Sequence, residues 1–245
     1  PGLYGRILGT IFRIPVIHTF HGFHYEDLPK LTKWLHLAVD NFLSLITDHH
    51  IFVSRGERLR AQVIKFLNDE NSTIIHNGID CEYIQNLSIN RDVVLKSIKC
   101  NDWENKKILG TISRISPEKG IHNLLLAFSK VTKVIPNLRL IIVGGYPEEH
   151  RSYYLKIINL IEKEDLGARI RILGYREDAI KVLKCMDFYI SSSLSEGLPI
   201  SMLEAFACKV PSIATKIIGN KDIMCNSVFG VLVEPDSPES LAQGI

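Results

Sequence analysis

The sequence contains few cysteines, few tryptophans and no long apolar run. Its five cysteines are scattered over 245 residues without a CxxC pair, which excludes a disulfide scaffold and the usual spacing of zinc ligands. An odd number of isolated cysteines is typical of reduced thiols, so we expect a cytoplasmic protein whose cysteines are small buried side chains. The best candidate for a membrane span, residues 34–47, is short and contains His36, Asp40 and Asn41.

The sequence also lacks a strong charge of either sign. The formal net charge is +2, which argues against a nucleic-acid-binding protein. Apolar residues make up 46% and charged residues 23%, the balance of an ordinary globular protein of one large or two small domains. The chain opens on a helix-like run at 3–12 and stops shortly after a helix start near Pro238. We therefore expect it to be a fragment of a longer protein.

Short apolar strands alternate with amphipathic helices along the chain. The predicted strands are 15–19, 49–53, 72–76, 108–113, 138–143, 170–173, 188–191, 212–214 and 228–233. The predicted helices are 28–46, 54–67, 91–98, 117–134, 148–164, 176–184 and 199–207. This alternation predicts an α/β fold of parallel sheets with helices on both faces. The polar stretch 86–105 indicates an interdomain connection between domains at 1–85 and 106–245.

Two acidic residues, Glu196 and Glu204, flank the predicted start of a helix. Pro199 suits the first turn, so Glu196 lies in the preceding loop and Glu204 inside the helix. The residues predicted to face the core are Ile200, Leu203 and Ala207. Glu204 falls within this stripe, where a carboxylate is costly unless it pairs with a buried Arg or Lys or with a ligand. Since a helix start also attracts anions, the combination suits a nucleotide sugar.

Two cations, Arg114 and Lys119, follow the first strand of the second half. Ser116 and Pro117 suit the cap and first position of a helix, which would place Lys119 in the first turn. A cation there opposes the helix dipole unless an anion binds beside it. The pair could clamp a diphosphate, or the segment could be a solvated loop.

Three other predicted strand ends carry weaker candidates. Gly144 would let a ligand approach the backbone, although βα turns also use glycine for steric reasons. Tyr175 could border a flat base or belong to a simple turn. His21 follows the first strand and could contact a sugar hydroxyl, whereas His18 fits the core and His24 could reach an acceptor.

These motifs together resemble the glycosyltransferases of family 4, also called group 1, which have the GT-B fold. The matching segments are PVIHTFHGFHYED, HNGID, GTISRISPEKGIHNLLLAF and SEGLPISMLEAFACKVPSIAT. The first of them is similar to members that build bacterial capsular polysaccharides or exopolysaccharides. The resemblance implies two Rossmann-like domains, the first incomplete because its N-terminal strands are missing. It also implies that the C-terminal helix is truncated.

The resemblance further implies retaining transfer of a sugar from a nucleotide-diphosphate donor to a glycan or lipid-linked acceptor, without a metal or other cofactor. The implied catalytic residues are His21, Arg114, Lys119 and Glu196. The implied donor-binding residues are Arg114, Lys119, Gly144, Tyr175, Glu196, Gly197, Leu198 and Glu204. In this arrangement Arg114 and Lys119 would hold the diphosphate and stabilise the leaving group. Glu204 would bind the ribose hydroxyls, and Glu196 those of the transferred sugar, with His21 beside it.

Other functions remain compatible with the sequence. One is another GT-B enzyme, such as a nucleotide-sugar 2-epimerase or a glycogen/starch-type synthase. Another is a nucleotide-sugar-binding module without catalysis. The helix predicted at 28–46 carries Lys30, Lys33 and Trp34 near its start, which fits either a core helix or peripheral contact with the cytoplasmic membrane face.

Overall fold

The computed structural model describes residues 2–22, 29–64, 67–224 and 227–245, so His24 and Cys225 lie outside the described residues. The chain divides into two compact units. The first comprises Pro1–Gly78 with Ser195–Leu198, and the second comprises Ile79–Leu194 with Pro199–Ile245. This division at residues 78 and 79 differs from the boundary that we predicted at 85 and 86.

The first unit is built on a three-stranded parallel sheet. Its strands are β1 (Ile17–Phe20), β2 (His49–Phe52) and β3 (Ser72–Ile74), in the order β1-β2-β3. Its helices are α1 (Gly2–Ile11), α2 (Lys30–Ser44) and α3 (Arg55–Arg60). The Ser54 hydroxyl caps α3, as predicted, by accepting from the Glu57 backbone nitrogen at 3.1 Å. The helix ends earlier than predicted because the chain tightens into a 3₁₀ turn that buries Ala61.

A polar cluster lies inside the first unit. Arg6 Nη2 lies 3.3 Å from Asp40 Oδ1 and 3.3 Å from His18 Nε2, which joins α1, α2 and β1. His50 Nε2 lies 3.0 Å from Ser44 Oγ. Burial, aided by the nearby charge of Arg6, lowers the pKa of both His18 and His50 to about 4. Both imidazoles are therefore neutral near pH 7.

The second unit contains a six-stranded parallel sheet. Its helices begin with α4 (Cys81–Asn86) and α5 (Arg91–Ser97), which precede the sheet in the chain. The strands are β4 (Lys107–Ile112), β5 (Leu138–Val143), β6 (Ile170–Ile172), β7 (Phe188–Ser191), β8 (Ser212–Thr215) and β9 (Gly230–Val233). The remaining helices are α6 (Ile121–Thr132), α7 (Arg151–Lys163), α8 (Ala179–Leu183), α9 (Ile200–Ala207), α10 (Ile218–Ile223) and α11 (Pro238–Gly244).

The strand order of this sheet is β6-β5-β4-β7-β8-β9. The order reverses between β4 and β7, since the chain builds outward from β4 to one edge and then from β7 to the other. In parallel α/β sheets, ligands bind beyond the carboxyl ends of the strands at such a reversal. The loops that follow β4 and β7 are therefore the first place to look for a site.

The segment 86–105 packs into the second unit instead of forming a connection. Leu95, Cys100 and Trp103 are fully buried in its core, and α5 supplies Leu95. Polar residues between these positions hid the apolar set from sequence analysis. The expectation of buried cysteines holds for Cys100 and Cys185, but Cys81 is exposed at the start of α4, a helix that we did not predict.

Candidate functional site

The loop after β4 extends the pairing of β4 with β5 beyond the strand ends. The Ser113 nitrogen donates to the Val143 carbonyl at 2.9 Å, and the Ile115 nitrogen donates to the Gly145 carbonyl at 2.8 Å. These two bonds hold the backbone on either side of Arg114. The Arg114 side chain is 66% exposed, and its Nη2 lies 3.6 Å from a carboxylate oxygen of Glu118.

Lys119 lies in a 3₁₀ turn, Pro117–Lys119, and α6 begins only after it. Our placement of Lys119 in the first turn of a helix that begins at Pro117 is therefore wrong. Gly120 separates the two because its φ of 59° is left-handed, and a Cβ there would lie 2.2 Å from the Ser192 carbonyl oxygen. The Ser116 hydroxyl does not cap the helix; it donates to the Glu118 carboxylate at 2.6 Å.

The loop after β7 joins the loop after β4 by two hydrogen bonds. The Ser192 hydroxyl donates to the Lys119 carbonyl at 2.8 Å, and the Leu194 nitrogen donates to the Glu118 carbonyl at 2.8 Å. Ser192 is buried. The two loops at the strand-order reversal therefore form one structure that presents Arg114. Sequence analysis missed both Glu118 and Ser192, although the i,i+4 spacing of Arg114 and Glu118 was a usable signal.

Gly144 and Tyr175 lie on the neighbouring loops. Gly144 has a φ of 137°, and a Cβ there would lie 1.9 Å from the Ser113 carbonyl oxygen. The Gly144 nitrogen donates to the Gly174 carbonyl at 2.8 Å, which connects the ends of β5 and β6. Tyr175 follows with its side chain 81% exposed. Glycine is thus required at 144 for close packing of two loops, whatever else it does.

Glu204 lies on the face of α9 that we predicted to enter the core, but that face is not the most buried one. Pro199 is the residue before the helix, and the buried residues of α9 are Met202, Ala205 and Ala207. Of the predicted stripe only Ala207 is buried, whereas Ile200 is 47% exposed. The reason is that α9 packs on β7, β8 and the unpredicted helix α4.

The Glu204 carboxylate is half-buried, and burial raises its pKa above the ordinary value. Within the part of the chain that the structure describes, its side chain has no hydrogen bond and no ion pair with an Arg or Lys. The protein partner that we considered for this acid is thus not among the described residues. A partly desolvated carboxylate in this state can accept hydrogen bonds from a ligand.

The remaining predicted residues meet in the first unit. The Asn77 amide donates to the Leu198 carbonyl at 3.0 Å. Gly197 is buried against the end of β1, because a Cβ at this position would lie 1.9 Å from the His21 carbonyl oxygen. His21 itself is exposed, and Glu196 is half-buried. The segments HTFHG, HNGID and EGL are therefore joined through backbone contacts, and Asn77 is the member that sequence analysis missed.

Over residues 2–22, 29–64, 67–224 and 227–245, no group of three or more His, Cys, Asp or Glu side chains could hold a metal ion. In the same part of the chain, none of the helices has the length and apolar character that crossing a membrane requires.

Comparison with known proteins places the chain in a family. The family model described as glycosyl transferases group 1 matches residues 96–245. The UDP-Gal:alpha-D-GlcNAc-diphosphoundecaprenol alpha-1,3-galactosyltransferase of Escherichia coli is 26% identical over 252 aligned residues, covering 100% of this chain and 62% of that protein. The alpha-monoglucosyldiacylglycerol synthase of Streptococcus pneumoniae is 28% identical over 244 residues, covering 94% of this chain and 53% of the synthase.

A solved structure has the same fold. HepE of Anabaena, crystallised with UDP and glucose, superposes with a TM-score of 0.88 at 24% identity, covering 99% of this chain and 64% of HepE. The chain spans between half and two thirds of the length of the proteins that it matches here. From the matched family model and the likeness of fold, the chain belongs to the glycosyl transferases group 1 and has the GT-B fold.

Proposed function

We propose that this protein transfers a sugar from a nucleotide-diphosphate donor to a glycan or lipid-linked acceptor in the synthesis of a cell-surface polysaccharide. The observation that carries the proposal is the joined pair of loops after β4 and β7, which presents Arg114 and Lys119 at the strand-order reversal. The names of the relatives support it. The Escherichia coli protein uses UDP-Gal and a diphosphoundecaprenol acceptor, and the Streptococcus pneumoniae protein is a glucosyl-lipid synthase.

In this proposal, Arg114 and Lys119 bind the donor diphosphate. A guanidinium can donate to two phosphate oxygens at once, and Lys119 adds a second positive charge. As the bond to the sugar breaks, negative charge grows on the diphosphate, and fixed cations stabilise that charge more than they stabilise the bound donor. The two side chains can supply the charge neutralisation that the reaction needs, and we propose that transfer is metal-independent and retains the anomeric configuration.

The acids and the first-unit residues have separate roles in the proposal. Glu204 accepts hydrogen bonds from the ribose hydroxyls, which fits its lack of an Arg or Lys partner among the described residues. Glu196 contacts hydroxyls of the transferred sugar, together with the backbone nitrogens of Gly197 and Leu198. His21 lies beside that sugar. The other proposed donor-binding residues are Gly144 and Tyr175.

The experiment compares Arg114→Ala with Arg151→Ala in the full-length protein. Arg151 is a matched control because its side chain is 65% exposed and it also pairs with a nearby acid, Glu148. Panels of UDP-, GDP- and ADP-sugars would first identify the donor by thermal shift, since a bound donor raises the apparent stability. We expect Arg114→Ala to lower kcat by roughly 100- to 1000-fold and Arg151→Ala to leave it unchanged.

The products decide between this proposal and its alternatives. Wild-type turnover by Arg114→Ala would contradict the proposed clamp. A free epimerised nucleotide sugar would identify a 2-epimerase, and an extended α-glucan would identify a glycogen- or starch-type synthase. Donor binding without turnover in the full-length protein would identify a binding module.

We also propose a cytoplasmic location with peripheral contact to an anionic membrane surface through the exposed face of α2. Leu31, Trp34 and Phe42 on this helix are 80%, 67% and 63% exposed. Their spacing places them on one face, while Asp40 points inward to Arg6. Lys30 and Lys33 lie at the start of the helix, where they can approach lipid phosphates. An apolar face with Trp and flanking lysines is typical of helices that lie in a membrane interface.

Vesicle co-sedimentation tests this second proposal. We expect the full-length protein to bind vesicles rich in phosphatidylglycerol more strongly than pure phosphatidylcholine vesicles, and the variant Trp34→Ser/Phe42→Ser to lose this binding. Val134→Ser is the control, because Val134 is 82% exposed on the second unit. Equal binding by the α2 variant would contradict the proposal, and so would a dimer in solution that depends on this face without binding vesicles.

A further inference from the structure

Glu118 lies between the two cations of the proposed clamp and is held in place independently of them. Its carboxylate accepts from the Ser116 hydroxyl at 2.6 Å and lies 3.6 Å from Arg114 Nη2. Its carbonyl accepts from the Leu194 nitrogen at 2.8 Å, so its backbone is tied to the loop after β7. Ser116 is fully buried and cannot move away from this contact without disturbing the core. The position of the carboxylate is thus determined by the fold.

This carboxylate carries a negative charge near neutral pH. Burial by itself would raise the pKa of Glu118, but the hydrogen bond from Ser116 and the charges of Lys119 and Arg114 outweigh burial and hold the pKa below its ordinary value. The clamp therefore contains its own anion. A diphosphate that binds to Arg114 competes with Glu118 for the Nη2 group and lies close to a fixed negative charge.

The repulsion does not act equally on donor and product. The diphosphate of a nucleotide sugar is esterified at both ends and has two ionised oxygens. The released nucleoside diphosphate has a terminal phosphate with a further ionisation near pH 6, so at neutral pH it carries about one more negative charge. A fixed carboxylate nearby therefore disfavours the product more than the donor.

We propose that Glu118 is a positioning residue that holds the Arg114 guanidinium before the donor binds and speeds release of the nucleoside diphosphate product by competing with that product for Arg114. This inference rests on the proposed function. The role of Glu118 differs from that of the two cations, because removal of its charge strengthens anion binding, whereas removal of a cation weakens anion binding.

The experiment measures the binding of inorganic pyrophosphate and of UDP to the full-length protein by calorimetry at low ionic strength. We expect Glu118→Gln to bind both anions about tenfold more tightly than wild type, with stronger product inhibition and a lower kcat. Glu118→Asp keeps the charge and should restore most of the wild-type release. Glu148→Gln is the matched control, because Glu148 forms a similar short-range pair with Arg151 and is not assigned to the clamp.

A second variant keeps the test decisive if Glu118→Gln folds poorly. Ser116→Ala leaves the charge but frees the carboxylate to follow Arg114, so its pyrophosphate affinity should lie between those of wild type and Glu118→Gln. Binding by Ser116→Ala and Glu118→Gln that is no tighter than wild type would overturn the inference. Arg114→Ala distinguishes failure of the proposed clamp from failure of the role of Glu118. If Arg114→Ala binds pyrophosphate as wild type does, the proposed clamp is wrong. If Arg114→Ala loses pyrophosphate binding while the Glu118 and Ser116 variants bind as wild type, the clamp stands and only the role of Glu118 is wrong.

Discussion

The backbone nitrogen of Leu194 donates to the carbonyl oxygen of Glu118 at 2.8 Å, which ties the loop after β7 to the loop after β4. The hydroxyl of Ser192 makes a second tie to the carbonyl of Lys119. Both acceptors are backbone atoms, so the position of the proposed diphosphate clamp depends on the path of the chain as well as on its charged side chains. A substitution of Ser192 therefore tests how the clamp is positioned without changing any charge.

Replacing Ser192 with Ala should lower both stability and turnover. The lost hydrogen bond costs about 1 kcal/mol in the free energy of unfolding, and the released loop misplaces Lys119. Ser129→Ala is the control, since the buried Ser129 of α6 donates to the carboxylate of Glu164, the residue that follows α7. We expect both variants to lose similar stability in urea titrations and only Ser192→Ala to lose kcat. Equal kcat in the two would contradict the positioning role.

Replacing Glu204 with Gln should weaken donor binding and stabilise the fold. Loss of a charged acceptor for two hydroxyls should reduce donor affinity by roughly 10- to 100-fold, as measured by calorimetry. Burial raises the pKa of Glu204 above 4.5, so its ionised form destabilises the folded chain as the pH rises through and above that value. We therefore expect Glu204→Gln to raise the Tm at pH 7 and to have no such effect well below pH 4.5. A lower Tm at pH 7 would contradict this account.

Replacing Gly197 with Ala should nearly abolish turnover. The new Cβ would lie 1.9 Å from the carbonyl oxygen of His21. Because this oxygen belongs to the backbone, the EGL segment or the end of β1 must shift. A displacement of this size near reacting groups costs about a hundredfold in rate. Gly167→Ala is the control, because a Cβ at 167 would meet nothing within 4 Å. Wild-type kcat in Gly197→Ala would show that this contact does not matter.

Mild acid should unfold the first unit before the second. The pKa of His18 and that of His50 are lowered from 6.5 to about 4, mainly by burial, with Arg6 adding to the effect and Asp40 opposing it. Above pH 6.5 both imidazoles are neutral whether the chain is folded or not. As the pH falls from 6.5 towards 4, only the unfolded chain takes up these protons, so stability is lost over that window.

Hydrogen exchange can measure this loss for each unit. We expect the protection factors of β2 amides to fall between pH 7 and pH 5 while those of β5 stay high. His50→Gln should flatten the pH dependence of β2, and His150→Gln, on the second unit, should not change it. Parallel loss of protection in β2 and β5 would count against the histidine mechanism.

The strands and most helices could be predicted from the sequence because burial in a parallel sheet produces apolar runs of recognisable length. The strands predicted at 138–143 and 188–191 agree with β5 and β7 to the residue. The motifs around Arg114 and Glu196 were also sufficient to predict the family, since their residue types and order do not depend on packing. The short helices α4 and α10 were not predicted, because six residues are too few to show a helical period.

What the sequence by itself determined was the alternation of elements, the cations and acids at strand ends, and through them the family. What only the tertiary structure decided was how those residues are held. Three contacts join parts of the chain more than 70 residues apart. They are the close approach of the left-handed turn at Gly120 to Ser192, the hydrogen bond from Ser192 to Lys119 and the hydrogen bond from Leu194 to Glu118. Sequence periodicity reports burial around one helix or strand, but it carries no information about which distant carbonyl will meet a turn. For the same reason, packing on β7, β8 and α4 decided which face of α9 is buried, and the apolar pattern of the helix itself did not.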